Sequence, residues 1–280
     1  MSQFSSSSSM QPLNVGNVVT AGVRLYRSHF KRYLRLALQA YLWVLVPIYG
    51  WAKFAAIAGL ISRLAFGELV NQPESISTAR NYIKSRTWSF FFVGLRVGIF
   101  VFLAYIGFAI AGTIIGTIAV LFLGFLLRLI LGELGSTIAV GLVVVALLGS
   151  LLFGLIWLYS RWFISEVPLA VEESINGAQS ISRSWNLTQT FIWRIQGIVL
   201  ITFIVTFPIL AVSSYIPQIF LLRLEQGSTA YTIVYLISWV LSFAGGILIM
   251  PFWQVIKAVV YYDLRTRREG LGLKLRDRDV

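Results

Sequence analysis

No cysteine occurs in the 280 residues, and histidine occurs once, at His29. The first absence removes disulfides, thiolate metal sites and cysteine nucleophiles together. The second excludes a multi-histidine metal site within one chain. Charge is also scarce. Asp, Glu, Lys and Arg make up 12% of the chain, against roughly 25% in soluble domains. Acids are the scarcer sign, 11 against 23 Lys and Arg, and no candidate span carries one in its interior. There is no phosphate-cradling glycine loop and no Ser-His-Asp set. Glu166, Glu172 and Glu173 form the one acidic cluster, and they read as N-terminal acids favouring a helix dipole rather than as a cation site. Catalysis is therefore not expected, and no cofactor or metal is implied.

Long apolar runs fill the space that charge leaves. Hydrophobic residues make up 58% of the chain. Ser136 to Ile164 holds a single charge, Arg161, near its end, and Phe203 to Leu222 holds none. Runs of roughly 18 or more such residues read as transmembrane helices. The expected fold is all-α, a polytopic membrane helical bundle. The net charge of +12 is concentrated at the two ends of the apolar body. Arg24, Arg27, Lys31, Arg32 and Arg35 precede it, and Arg265, Arg267, Arg268, Lys274, Arg276 and Arg278 follow it. On so apolar a chain, basic flanks mark the cytoplasmic side and face anionic lipid headgroups. Nucleic acid is not the expected partner.

Taken in order, residues 1–12 are a Ser-rich tail expected to be disordered. The opening MSQFSSSSSMQPLNV lacks a charged n-region and an apolar h-region, so a cleaved signal is not expected. Residues 13–262 read as one integral membrane domain, and 263–280 as a charged cytoplasmic tail. Val15, Val18, Gly22, Leu25, His29 and Tyr33 can share one helix face, which predicts a basic amphipathic helix at the interface. Leu34 to Leu69 is apolar but broken at Pro47-Ile48-Tyr49-Gly50. Two short helices in a hairpin, or one long kinked helix, fit it. Lys53 and Arg63 then snorkel from near the ends. Ile76, Ala79 and Ile83 mark a second, short amphipathic helix. Trp88 to Leu131 is too long for one ordinary span. It predicts either a break or close packing near Gly112 and Gly116, or an extra or re-entrant helix.

Pro168 to Arg194 is the longest polar interval inside the apolar body. Ile175, Ala178, Ile181 and Trp185 recur at helical spacing, with Glu172, Asn176, Gln179, Ser182 and Arg183 on the other face. Between spans this reads as a helix in the interface plane; packing on a neighbour is the alternative. Spans then follow at 191–222 and 229–262, joined by a polar turn. Placing every strongly basic loop in the cytoplasm gives about six transmembrane helices in three hairpins, each preceded by an amphipathic interfacial helix, with both termini inside. A loose repeat fits this arrangement. Gly22-x4-Arg27-Ser28, Ala79-x4-Lys84-Ser85 and Ala178-x4-Arg183-Ser184 each close an amphipathic segment before a span.

PLAVEE at 168–173, SRSWNLT at 182–188 and PFWQVIKAVVYYDLRTRREGLGLKL at 251–275 together resemble a known family. It is the membrane domain found beside some bacterial glycerophosphodiester phosphodiesterases, which also occurs alone. The matching positions are Glu172, Arg183 to Thr188, and Tyr261 to Gly270. Gln189-Thr190 departs from the pattern. The resemblance covers the carboxyl half in sequence and the amino half only in layout. It implies a membrane domain without settled activity, since the phosphodiesterase chemistry belongs to a separate soluble barrel.

The residues singled out for roles follow from these readings. Arg183, Trp185, Asp263, Arg265, Arg267, Arg268 and Glu269 are structural or lipid-interface candidates. Asp263 and Glu269 are expected to tie the closing segment to Arg183, and Asp263 to pair with Arg267 four residues on. Arg96, Lys53 and Lys257 are the candidates for an intramembrane polar site, with no acid in the spans to partner them. The expected function is a non-enzymatic membrane-organising, assembly or partner-binding component. The alternative is a transporter or channel for a small anion, lipid or amphiphile, with Arg96 in its path. Expected partners are anionic lipid headgroups and either a second copy or another membrane protein. The expected location is a bacterial inner membrane, or a thylakoid if the host is photosynthetic.

Overall fold

The computed structural model describes residues 14–271, the side chains of Leu123 and Leu131 excepted. The Ser-rich tail and the last basic residues lie outside this range. Among the described residues every regular element is helical. In chain order they are α1 (Val15–Ser28), α2 (Phe30–Val44), α3 (Tyr49–Leu69), α4 (Ile76–Ser85), α5 (Thr87–Trp162), α6 (Glu166–Val171), α7 (Gly177–Thr188), α8 (Ile192–Leu210), α9 (Ile216–Leu221) and α10 (Thr229–Glu269). Four stretches are long and apolar enough to cross a membrane: Thr87–Ile130, Gly132–Val171, Ile192–Leu221 and Thr229–Glu269.

The described residues divide into two compact units. Residues 14–94 together with 163–271 form the first, and Leu95–Trp162 the second. In the first unit α3 packs chiefly on α10 and α2, and α1 on α10 and α8. Val18, Tyr33, Ala37, Ile61, Ile195, Val259 and Tyr261 lie in its core, fully shielded. α1 buries Val18, Val19 and Gly22, and α4 buries Ala79 and Ile83. Each begins with a side-chain cap, Asn14 on the Asn17 amide and Ser75 on the Thr78 amide, which satisfies one of the unpaired amides of the first turn.

The break at Pro47–Gly50 is a tight reversal between two helices. The Tyr49 amide donates to the Pro47 carbonyl at 2.7 Å, and Ile48 sits at φ 60°, ψ −69°. This is a γ-turn of the strained sense, rare for a β-branched residue. A Cβ at Gly50 would overlap the Trp43 carbonyl oxygen, so α2 and α3 meet here backbone to backbone.

The second unit consists of the two apolar arms of α5. The first arm is unbroken through Gly112 and Gly116, and the chain turns at Gly132, at φ 73° and ψ −172°. The arms run antiparallel. A Cβ on Gly116 would touch Leu147 at 3.4 Å, one on Gly124 would touch Val140 at 3.4 Å, and one on Gly154 would touch Phe108 at 3.3 Å. The overlong run is thus one helix of 44 residues, about 66 Å. Gly112 and Gly116 serve contact between the arms.

After Pro208 the helix widens into one π turn, Ala211–Tyr215, before α9. Proline removes a backbone bond and crowds the turn that precedes it, and the wider turn lies immediately before Pro217, where it relieves both. α10 continues through Asp263 to Glu269, and Gly270 caps it in the left-handed conformation. The segment read as a tail from Asp263 is helical for its first seven residues, and Asp263 is only 2% exposed. It remains helical because its charges find partners within the fold.

Candidate functional site

The polar residues of the carboxyl half converge where α10 ends against α6, α7 and α8. The path begins with α6, which stops at Val171 and leaves Glu172 extended. α7 then starts on a reciprocal cap. Asn176 accepts from the Gln179 amide at 3.0 Å, and Gln179 accepts from the Asn176 amide at 2.8 Å. The face that α7 buries differs from the apolar face read in the sequence. Ser180, Ser184, Leu187 and Thr188 are buried, Ala178 is exposed, and Ile181 and Trp185 are half-buried. Ser180 explains the rotation. Its hydroxyl donates to the Ser165 carbonyl and accepts from the Leu169 amide at 3.0 Å. Small serines four apart let helices approach closely, and the hydrogen bonds favour that face over the apolar one.

This rotation sets Arg183 between two acids. Its Nε donates to Glu172 at 3.1 Å, and its Nη2 lies 2.5 Å from Glu269. Burial lowers the pKa of Arg183, but Glu172 and then Glu269 outweigh it and hold the guanidinium above its ordinary value. Glu172 also accepts from the Tyr261 hydroxyl, and Glu269 from Arg265 at 2.9 Å. Asp263 is not part of this chain of pairs. It receives Arg194 from α8 and Arg267 from its own helix, each at 3.0 Å. The expectation that Asp263 ties α10 to Arg183 therefore needs correction: Glu269 makes that link. Asp263 lies six residues earlier, nearly two turns deeper along α10, and points to α8. Arg268 reaches the Asn186 carbonyl and the Thr190 hydroxyl, the latter at 3.0 Å.

A second set of ionic contacts lies on the α3–α4 side of the same unit. Arg63 holds Glu74 through two nitrogens, at 2.9 and 2.7 Å, and donates to the Ala170 carbonyl at 2.9 Å. Arg86 donates to the carbonyls of Leu169, Glu172, Glu173 and Ile175, gathering the α6–α7 connection. Tyr82 lies between the two guanidinium groups, 3.9 Å from Arg63 and 4.6 Å from Arg86. Its hydroxyl donates to the Glu172 carbonyl at 2.9 Å. Burial pushes the Tyr82 phenol up, although Arg86 and Arg63 pull the other way.

The three candidates for a polar site have different surroundings. Lys257 pairs with Glu166 at 2.7 Å, so an acid reaches it from α6. Lys53 sits over the Tyr49 ring at 5.4 Å. Arg96 is exposed on α5, in the second unit. Sequence reasoning passed over Arg194, Arg86 and Tyr82. Arg194 stands at the start of a span without a nearby acid, and only the fold brings Asp263 to it. No group of three or more Asp, Glu or His side chains able to hold a metal occurs among the described residues. No family model, no curated protein and no solved structure matches the chain.

Proposed function

We propose that the chain is a non-enzymatic membrane-organising or assembly component, with its paired charges at the cytoplasmic boundary and its long apolar helices in lipid. One observation carries this reading. Glu68, Glu74, Glu166, Glu172, Asp263 and Glu269 of the first unit pair with cations of its own helices, while apolar side chains cover the outside of the long helices. Leu121, Leu129, Leu142 and Leu152 on α5, and Leu236 and Val240 on α10, are all more than half exposed. Surfaces of that extent on a long helix suit lipid or another membrane helix.

In this reading α2 and α3 form the first of three hairpins, the arms of α5 the second, and α8–α9 with α10 the third. That gives six crossings with both termini in the cytoplasm of a bacterium, in its inner membrane or, in a photosynthetic host, its thylakoid. α1, α4 and α7 lie at the interface, and the half-exposed Ile181 and Trp185 of α7 meet lipid there. Membership of the phosphodiesterase-associated membrane domain family fits the same picture, since Glu172, Arg183 and Tyr261, three of the resembling residues, are in mutual contact or one partner apart.

The second reading is transport of a small anion, lipid or amphiphile. It is favoured by Arg96, a cation exposed on the first apolar arm. Reconstitution into liposomes with native mass spectrometry separates the two. The organising role predicts a stoichiometric oligomer or retained membrane-protein partner, and no anion flux above empty vesicles. Flux that Arg96→Ala abolishes would overturn it in favour of transport.

A further inference from the structure

α2 and α4 enclose a groove of about 680 Å³. Its walls carry Lys31, Arg32, Arg35 and Gln39 from α2, and Arg80 and Asn81 from α4, and no acid lines it. We propose that this groove binds a phosphate-bearing anion, either the headgroup of an anionic lipid or a free phosphate compound. The site is separate from the α10 ion pairs and does not depend on the organising role. Only its lipid source rests on placing this face at the cytoplasmic headgroups.

Uncompensated charge is the first argument. Glu68 and Glu74 both attend to Arg32: Glu68 lies 3.3 Å from its Nη1, and the Glu74 carbonyl accepts from Nη2 at 2.8 Å. Among the described residues no acid pairs with Lys31, Arg35 or Arg80. Arg80 is turned across the groove instead, donating to Gln39 Oε1 at 2.9 Å. Lys31 and Arg35 are one helical turn apart on the same face, a like-charge pair that costs stability while it stands alone. An anion between them would reverse the sign of that interaction.

The second argument is shape. The opening is large enough for a phosphate and its immediate substituent. Arginines on its two walls can take separate oxygens of one phosphate, while Lys31 adds a point charge. Gln39 and Asn81 offer further donors to ester or hydroxyl oxygens.

The test uses the full chain in a neutral detergent and reads calorimetric binding. Four probes are titrated: short-chain phosphatidylglycerol, short-chain phosphatidylcholine, inorganic phosphate and pyrophosphate. The expected result is saturable binding of phosphatidylglycerol, pyrophosphate or both, with none of phosphatidylcholine. Lys31→Gln/Arg35→Gln, two exposed positions, weakens it at least tenfold, and Arg80→Gln weakens it severalfold. Arg27→Gln/Arg223→Gln removes the same charge elsewhere and leaves it unchanged. Phosphatidylglycerol alone identifies a headgroup site, and pyrophosphate or phosphate binding identifies a free-phosphate site. Equal losses in the two double variants, or no anion bound above the phosphatidylcholine level, would overturn the proposal. Circular dichroism confirms that each variant is folded. Oligomeric state, read separately, keeps a failure here distinct from a failure of the organising role.

Discussion

Leu95–Trp162 and the rest of the chain reach helical structure by different means. Among the described side chains between Leu95 and Trp162 no apolar one is buried, and the Arg128–Glu133 ion pair has both partners well exposed, at 65% and 80%. In the other unit Ile164, Ile195, Val259 and Tyr261 are fully shielded, and Asp263 is 2% exposed with two arginines on it. The arms are held by their own helical backbone bonds and a glycine-lined contact. The paired-charge unit is held by partners that must each be in place. Substitutions therefore matter far more in one region than in the other.

The largest contrast is between two glycines. Gly50→Ala forces a Cβ into the Trp43 carbonyl, and the α2–α3 reversal cannot form; no monodisperse protein is expected on size exclusion. Gly141→Ala in the arms meets nothing within 4 Å and leaves the elution profile as it was. If Gly50→Ala purifies normally, the backbone contact between α2 and α3 is not a requirement of the fold.

Next come the ion pairs. Asp263→Leu strips the carboxylate from Arg194 and Arg267 in a shielded place, and breaking such a pair costs about 3–5 kcal/mol. Unfolding by graded SDS in mild detergent measures it. The counterpart in the arms, Glu133→Gln, should lie within error, because exposed pairs contribute about 0–1 kcal/mol. Comparable losses at both sites would erase the distinction between the units.

Arg183→Glu places three acids together and should cost about 2 kcal/mol in the same assay. Adding Glu269→Arg restores part of it, since the pair is remade with its signs exchanged. A double variant no better than the single would show that the Arg183–Glu269 contact is not what joins α7 to α10. The smallest effect is expected for Gly116→Leu. Its side chain presses on Leu147, but the arms can part locally into lipid, and the loss should stay below about 1 kcal/mol.

Much of the fold could be read along the chain. Composition pointed to helices able to cross a membrane, and Pro47–Gly50, Gly132 and Gly227–Ser228 fall at reversals. Ala79 and Ile83 are buried as the helical spacing of α4 suggests, with Ile76 half-buried. α7 is the instructive exception. Its apolar stripe through Ala178 and Trp185 is not the buried face, because Ser180 finds two backbone partners on α6 and its neighbourhood. A hydrophobic stripe states which residues avoid water, but it does not outweigh the two hydrogen bonds that Ser180 gains by turning inward. The polar site was legible only as an inventory. Arg183, Asp263 and Glu269 stand out by type, but Arg194, Arg86 and Tyr82 do not; Asp263 pairs with Arg267 as the four-residue spacing suggests, but its partner on another helix is Arg194 rather than Arg183.

The sequence by itself determined the helical class, the apolar spans and most of the reversals, because those depend on solvent preference and local backbone chemistry. Tertiary structure alone decided which cation each acid holds, which face α7 turns inward, and that Lys31, Arg35 and Arg80 line one groove. Arg194 and Asp263 are 69 residues apart, and Arg63 and Ala170 are 107 apart. Such pairings are set by where helices end and how they rotate in packing, and a periodicity within one helix carries no record of the neighbour it will meet.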